Sequence, residues 1–335
     1  MSTARVSEAP WFVDSVRAQA YRVAKPLFGS LYANRERRVA WMGVFSVLTS
    51  FALTLVAPMY LLALGPILLG VPHLVADARY LVAQPKLHER GPMVWLAALP
   101  LIASAFGAPP AFALLVLVPS VLMARASWQR KLIGLACWLA LSVVALQWST
   151  PFLYAFLHLH NVIAVGWWWA LRPRTRLSVL VPVLVALGTI AILVGAADPV
   201  IGALGTWGAP ATATTLGEFV ASNAPVSDGV LGARLVLSFA FLQSVHYAIW
   251  LRLVPEDARH RPAPRPFRET WRALEKDFGV PLLLVFIGLS VFVAVWGAMD
   301  LGEARLGYLR LAAFHGYLEF GAAAVFLVEG RRPPC

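Results

Sequence analysis

Five histidines, His73, His158, His160, His246 and His315, lie inside strongly apolar segments long enough to cross a membrane. An ionisable side chain in hydrocarbon is costly and needs a partner, so each marks a candidate site. His73 is followed four residues later by Asp77, and His315 by Glu319. That spacing puts each pair on one helix face, where the carboxylate can orient the imidazole or join it at one metal ion. His158 and His160 are two apart, about 200° around a regular helix, so one is expected as a ligand and the other as a hydrogen-bonding neighbour. Asn161 can bond His158 or a substrate oxygen, Gln243 shares a face with His246, and Tyr247 supplies a hydroxyl.

Neutral imidazoles with carboxylates and no cysteine suit iron, zinc, manganese or copper, and four histidines backed by carboxylates are compatible with a non-haem ferrous, Fe(2+), centre open to dioxygen. Zinc is equally allowed by residue type, histidines on facing helices also suit haem b in membrane electron transfer, and a His/Asp/Glu relay suits a proton-coupled transporter. A metal buried among lipid-facing helices implies a lipophilic small-molecule substrate, since a hydrophilic one would have to cross apolar walls.

The elements that must position these residues are membrane helices. The 335 residues are 59% hydrophobic and 13% charged, against about 25% charged in soluble domains. The expected fold is all-α, a polytopic integral membrane bundle of about ten transmembrane helices. The spans read as Val39–Leu64, Ile67–Ala83, Met93–Phe106, Ala111–Ala124, Leu132–Trp148, Pro151–Leu171, Leu177–Ala196, Gly232–Leu251, Val280–Trp296 and Leu306–Val328. The third and fourth are short for a bilayer and are expected as a re-entrant or tilted pair. The five histidines singled out above all fall on even-numbered spans, which run in one direction. Counted from the inner ends at 1.5 Å per residue, four of them lie within roughly 12 Å in depth, so a shared centre is feasible.

The net charge of +11 invites a nucleic-acid partner, but its placement argues for membrane topology and for no nucleic acid. With the N-terminus cytoplasmic, 25 of the 28 Lys and Arg fall on the inner side and only Arg234, Arg305 and Arg310 fall outside. That asymmetry predicts both termini inside, in a bacterial inner (cell) membrane. Residues 1–38 read as a cytoplasmic basic amphipathic segment suited to the lipid surface, 39–328 as the transmembrane domain and 329–335 as a tail. The outer loop 197–231 carries Asp198, Glu218 and Asp228 but no Lys or Arg. The inner basic loop 252–279 is expected as a proline-stiffened stretch followed by a short surface helix. Trp167, Trp168 and Trp169 fit an inner aromatic belt. His88 and His260 read as solvated loop residues, Cys137 and Cys335 as unbridged, and Gly202, Gly205 and Gly208 lack the strand that a phosphate loop requires. The start has no apolar core before its first charges, so no cleavable leader is expected.

Four short motifs resemble a known family. The stretch G-V-P-H-L-V-A-D at Gly70–Asp77 is similar to the G-L-P-H-G-x-x-D signature of the Brp/Blh β-carotene dioxygenases, polytopic membrane proteins that cleave β-carotene to retinal. In the same order, F-L-H-L-H-N resembles that family's second histidine span, F-L-Q-S-V-H-Y its F-x-x-H-S-x-x-H segment, and F-H-G-Y-L-E its final P-H-x-x-x-x-D. The resemblance implies a ferrous centre held by His73, one of His158 and His160, His246 and His315, with dioxygen inserted across a polyene double bond. Leu74, Gln243 and Glu319 depart from the pattern, which leaves another lipid or isoprenoid open as substrate.

Overall fold

The computed structural model describes residues 11–172, 174–204, 219–220, 223–224, 229–259 and 266–330. His260, Cys335, Gly205, Gly208, Glu218 and Asp228 lie outside the described residues. The architecture is all-helical, with no strand among the described residues. In chain order the helices are α1 (Phe12–Ala33), α2 (Arg35–Val56), α3 (Pro58–Asp77), α4 (Pro92–Ala105), α5 (Pro110–Ala113), α6 (Leu117–Leu122), α7 (Trp128–Gln147) and α8 (Ser149–Leu171). They continue with α9 (Leu180–Leu193), α10 (Asp198–Leu204), α11 (Gly229–Ala248), α12 (Val254–Asp257), α13 (Phe267–Phe278), α14 (Val280–Met299), α15 (Leu301–Leu311) and α16 (Phe314–Glu329).

Seven helical stretches are long and apolar enough to cross a membrane: Arg35–Val56, Pro58–Ala83, Trp128–Gln147, Arg176–Leu193, Gly229–Asp257, Val280–Met299 and Leu301–Glu329. Helix α8, at 23 residues, is also long enough, but His158, His160 and Asn161 lower its hydropathy, so the chemistry it carries disguises it. Helix α4 has 14 residues, about 21 Å at 1.5 Å per residue, and it packs on α5 and α6 as the expected short pair.

Several sequence boundaries need correction. The first break falls at Ala57, not between Leu64 and Ile67, because Pro58 opens α3 at its first position, where a proline is tolerated; Pro66 and Pro72 are carried inside that helix. The eighth span does not stop at Leu251: a π-helical turn at Ile249–Leu253 feeds directly into α12, and Pro255 sits in its first turn. The loop expected from 252 therefore begins as helix. Within the segment 1–38, Arg35 and Arg38 are buried at the start of α2. Trp167 and Trp168 are buried core side chains and not a lipid-facing belt.

Helix α11 is the hub, packed against α2, α3, α8 and α9. Helices α14 and α15 cover α3, and α16 lies against α4, α6, α7 and α8. At the end of α12, two buried acids gather arginines from distant segments. Glu256 accepts from Arg38 at 2.5 Å and pairs with Arg259 at 2.7 Å. Asp257 pairs with Arg174 at 2.6 Å and accepts the Trp168 indole N–H at 2.8 Å. Asp277 and Glu329 hold Arg79 and Arg90 in the same way, at 2.7 and 2.6 Å. Asp14 of α1 accepts the backbone N–H groups of Phe267 and Arg268, so the two amphipathic helices α1 and α13 share one end of the bundle.

Breaking a buried pair leaves an uncompensated charge, which costs about 3–5 kcal/mol. Asp257→Ala strands Arg174 and the Trp168 indole. We expect it to lower the melting temperature of the detergent-purified protein sharply, whereas truncating the exposed Lys86–Glu89 pair should leave the melting curve within error.

Candidate metal centre

Four of the five histidines meet, one from each of α3, α8, α11 and α16. The His73 ring lies 5.3 Å from His246 and 4.8 Å from His315, centroid to centroid. His160 lies 5.2 Å from His246 and 5.1 Å from His315. One ligand nitrogen from each of His73, His246 and His315 can be chosen so that all three fall within 4.8 Å of one another. His73 and His246 are each 1% exposed.

Helix geometry sets how these rings point. The Nδ1 of His73 bonds the Gly70 carbonyl at 2.6 Å, and that of His160 bonds the Leu157 carbonyl at 2.8 Å. His315 makes the same bond to the Ala312 carbonyl. Each acceptor is the residue three positions back, so one local device recurs on three helices. A carbonyl can only accept, so Nδ1 carries the proton and Nε2 keeps its lone pair for the centre. Nε2 of His73 and both ring nitrogens of His246 are buried without a hydrogen-bond partner.

Two glycines let the helices approach closely enough. A Cβ on Gly70 would collide with the Tyr308 ring of α15, and one on Gly316 would collide with the Phe156 ring of α8. Irregular backbone flanks the site as well. A π-helical segment, Ala78–Ala83, follows Asp77; the second follows His246; and the break at Ala312–Ala313 immediately precedes His315. Such segments interrupt the regular helical phase and re-aim the side chains around them.

The carboxylates stand beside the imidazoles, each nearest an Nε2. Asp77 Oδ2 is 3.8 Å from His73 Nε2, as the spacing of four predicts. Glu319, however, does not pair with His315 on its own helix. Its Oε1 lies 3.8 Å from His246 Nε2 and accepts the Trp250 indole N–H at 2.8 Å, because the fixed Nδ1 bond turns His315 away from it. Asp77 and Glu319 are fully buried, and among the described residues no Lys or Arg pairs with either. Both oxygens of Asp77 and Oε2 of Glu319 lack hydrogen-bond partners.

These orphaned donors and acceptors are what a cation would satisfy. Two buried carboxylates with neutral imidazoles balance one divalent ion, and the donor set is the nitrogen-and-oxygen type that first-row metals accept. Without such an ion the same groups stand desolvated and unpaired, which is expensive.

His158 is not part of the cluster, correcting its inclusion among the metal candidates. The angle between alternate residues of a helix sends it to the other side of α8, where its Nε2 bonds the Asn223 carbonyl at 3.0 Å and its ring meets Phe239. Asn161 and Gln243 line a cavity of about 290 Å³ that opens on the histidines, as does Tyr247, whose ring is 4.9 Å from that of His73. Asn161 donates to the Leu157 carbonyl at 3.1 Å, not to His158. Sequence reasoning missed Arg305, Tyr308 and Tyr317 in the cavity wall and Trp250 behind Glu319. For Arg305 the signal was present, since a cation in an apolar helix is itself anomalous; for the aromatics there was none.

No family model, curated protein or solved structure matches the chain.

Loss of His73 or His246 should empty the site, and loss of His158 should not. Elemental analysis of purified His73→Ala, His246→Ala and His158→Ala, each checked for folding by circular dichroism, should give metal only in the last; equal metal in all three would remove these residues from the site.

Proposed function

We propose that this chain is a membrane-embedded non-haem iron oxygenase acting on a lipophilic substrate. We read it as ten-spanning, with both termini cytoplasmic, in a bacterial inner membrane; the bias of Lys and Arg supports that topology. The observation that carries the reading is the cluster of four histidines backed by two unpaired carboxylates and facing a largely apolar cavity. His73, His160, His246 and His315 would hold the iron, and Asp77 and Glu319 would balance its charge and fix the imidazoles.

The metal would supply the site at which dioxygen is activated. The protein's own groups then have definable tasks. Tyr247, Gln243 and Asn161 line the space beside the imidazoles and would orient the substrate or the oxygen. Phe156, stacked on Tyr317 at 4.4 Å, and the leucines of α8 and α15 keep the space apolar and exclude water. Oxidative cleavage of a carbon–carbon double bond by dioxygen gives two carbonyls and uses both oxygen atoms, so it needs no outside reductant. The motif resemblance makes a carotenoid, cleaved to retinal or a related apocarotenal, the first substrate to test.

The packing weighs against the alternatives. A haem between two of these histidines would need a clear plane around the iron, and the other two imidazoles and Tyr247 occupy that space. A proton relay would pass protons through both nitrogens of each ring, whereas three Nδ1 atoms are tied to backbone carbonyls.

Purified protein should contain about one iron per chain and show no Soret band. Carotenoid-producing cells that express it should lose colour and accumulate a retinal-type aldehyde, and Asp77→Asn should weaken iron binding by roughly 10–100-fold. A metal-free wild-type preparation, or full activity in His73→Ala, would overturn the assignment.

A further inference from the structure

We propose that the cavity beside the histidines takes an amphiphile by an anionic oxygen headgroup, a carboxylate or a phosphate, held by Arg305 and Tyr308. This goes beyond the oxygenase reading, in which the motif resemblance alone points to a hydrocarbon carotenoid, by naming an anionic lipid as the occupant, and it rests on that reading only for the chemistry at the metal.

Arg305 is 3% exposed in the middle of α15, yet no carboxylate pairs with it among the described residues. Its Nε donates to the Leu62 carbonyl at 2.9 Å, and its guanidinium lies 4.6 Å from the centre of the Phe219 ring. These contacts fix the plane of the group without neutralising it, and Arg305 lines the cavity. Arg310, one and a half turns on, reaches the cavity edge and likewise has no ion-pair partner among the described residues. Among the described residues the lining contains no Asp or Glu, so neither arginine meets a carboxylate in the cavity wall they form.

Tyr308 gives an independent pointer. Its side chain is 4% exposed, its hydroxyl has no hydrogen-bond partner, and it lines the same cavity. A buried guanidinium and a buried phenol, both short of an acceptor, suit one oxygen anion that takes a hydrogen bond from each. A pure hydrocarbon in this space would leave both unpaired.

The rest of the wall suits a chain. The cavity, at about 290 Å³, is near the lower end of small-molecule sites, about 300–1,000 Å³, enough for a head and the first part of a tail. Leu153 of α8 and Leu306 of α15 line it and are also exposed, at 43% and 47%, so its mouth lies between those helices on an apolar surface. The tail would leave there into lipid.

The test is binding of radiolabelled oleate, oleyl phosphate and oleyl alcohol to the full-length protein in nonionic detergent, before and after stripping metal with a chelator. We expect at least one anion to bind tenfold or more tightly than the alcohol, with and without metal; the tighter anion identifies the head as carboxylate or phosphate. Arg305→Gln should abolish that preference. Because Arg305 also holds the Leu62 carbonyl, Tyr308→Phe provides a second arm that keeps the ring. It should weaken the anion at least threefold and leave the alcohol unchanged. The proposal is overturned if the alcohol binds as tightly as both anions, if Arg305→Gln keeps the preference, or if folded Tyr308→Phe binds the anions like wild type. An anion preference in a protein that never holds iron would keep the headgroup site and sink the oxygenase reading; iron without the preference would do the reverse.

Discussion

Two carboxylates with no cationic partner among the described residues, Asp77 and Glu319, are closed inside an apolar bundle, and much of the surrounding structure is shaped by having to accommodate them. Charge in a low-dielectric interior is strongly penalised unless opposed. At the end of α12 the chain solves this with arginine, opposing Glu256 by Arg38 and Arg259 and Asp257 by Arg174. At the centre it does not. It places imidazoles there, and these accept a metal where guanidinium would exclude one. The contrast separates acids that tie helix ends together from acids that stand unopposed beside the histidine cluster.

Positioning four rings around one point is demanding for helices, whose side chains advance in fixed steps. Three devices meet the demand. Hydrogen bonds to the carbonyl three residues back fix the rings of His73, His160 and His315 without recruiting any other segment. Two π-helical segments and one break shift the phase beside Asp77, His246 and His315. Gly70 and Gly316 remove the side chains that would hold α3 from α15 and α16 from α8. Of the four, His246 has no hydrogen bond at either ring nitrogen; Glu319, itself held by Trp250, lies 3.8 Å from its Nε2.

Much of this was legible in the sequence because burial in hydrocarbon makes polar residues conspicuous. The helical class followed from hydropathy, and the convergence of His73, His160, His246 and His315 followed from their depth on parallel spans. The reading failed where it depended on regular geometry. Spacing of four assigned Glu319 to His315, but rotation of the imidazole and the π-helical segment carrying Trp250 gave the carboxylate to a different helix. Pro255 looked like a terminator and is absorbed, because a proline in a first turn costs no hydrogen bond. His158 could not be separated from His160 by sequence, since only the packing of α8 decides which face looks inward.

The arrangement of charge about the histidines bears on what the site can select. Arg305 and Arg310 line the cavity, while Asp77 and Glu319 each stand 3.8 Å from an imidazole Nε2. On the proposed reading a cation is favoured at the acids and an anionic head at Arg305. A head held there fixes which end of its chain leaves between Leu153 and Leu306. A substrate of this kind would therefore enter in one orientation. On the proposed reading the reacting bond would then be chosen by its distance from the head; Tyr247 lines the same space, with its ring 4.9 Å from that of His73. A symmetric hydrocarbon would feel no such constraint, so an anionic head held at Arg305 would make position along the chain, more than the shape of the tail, the property that selects the reacting bond.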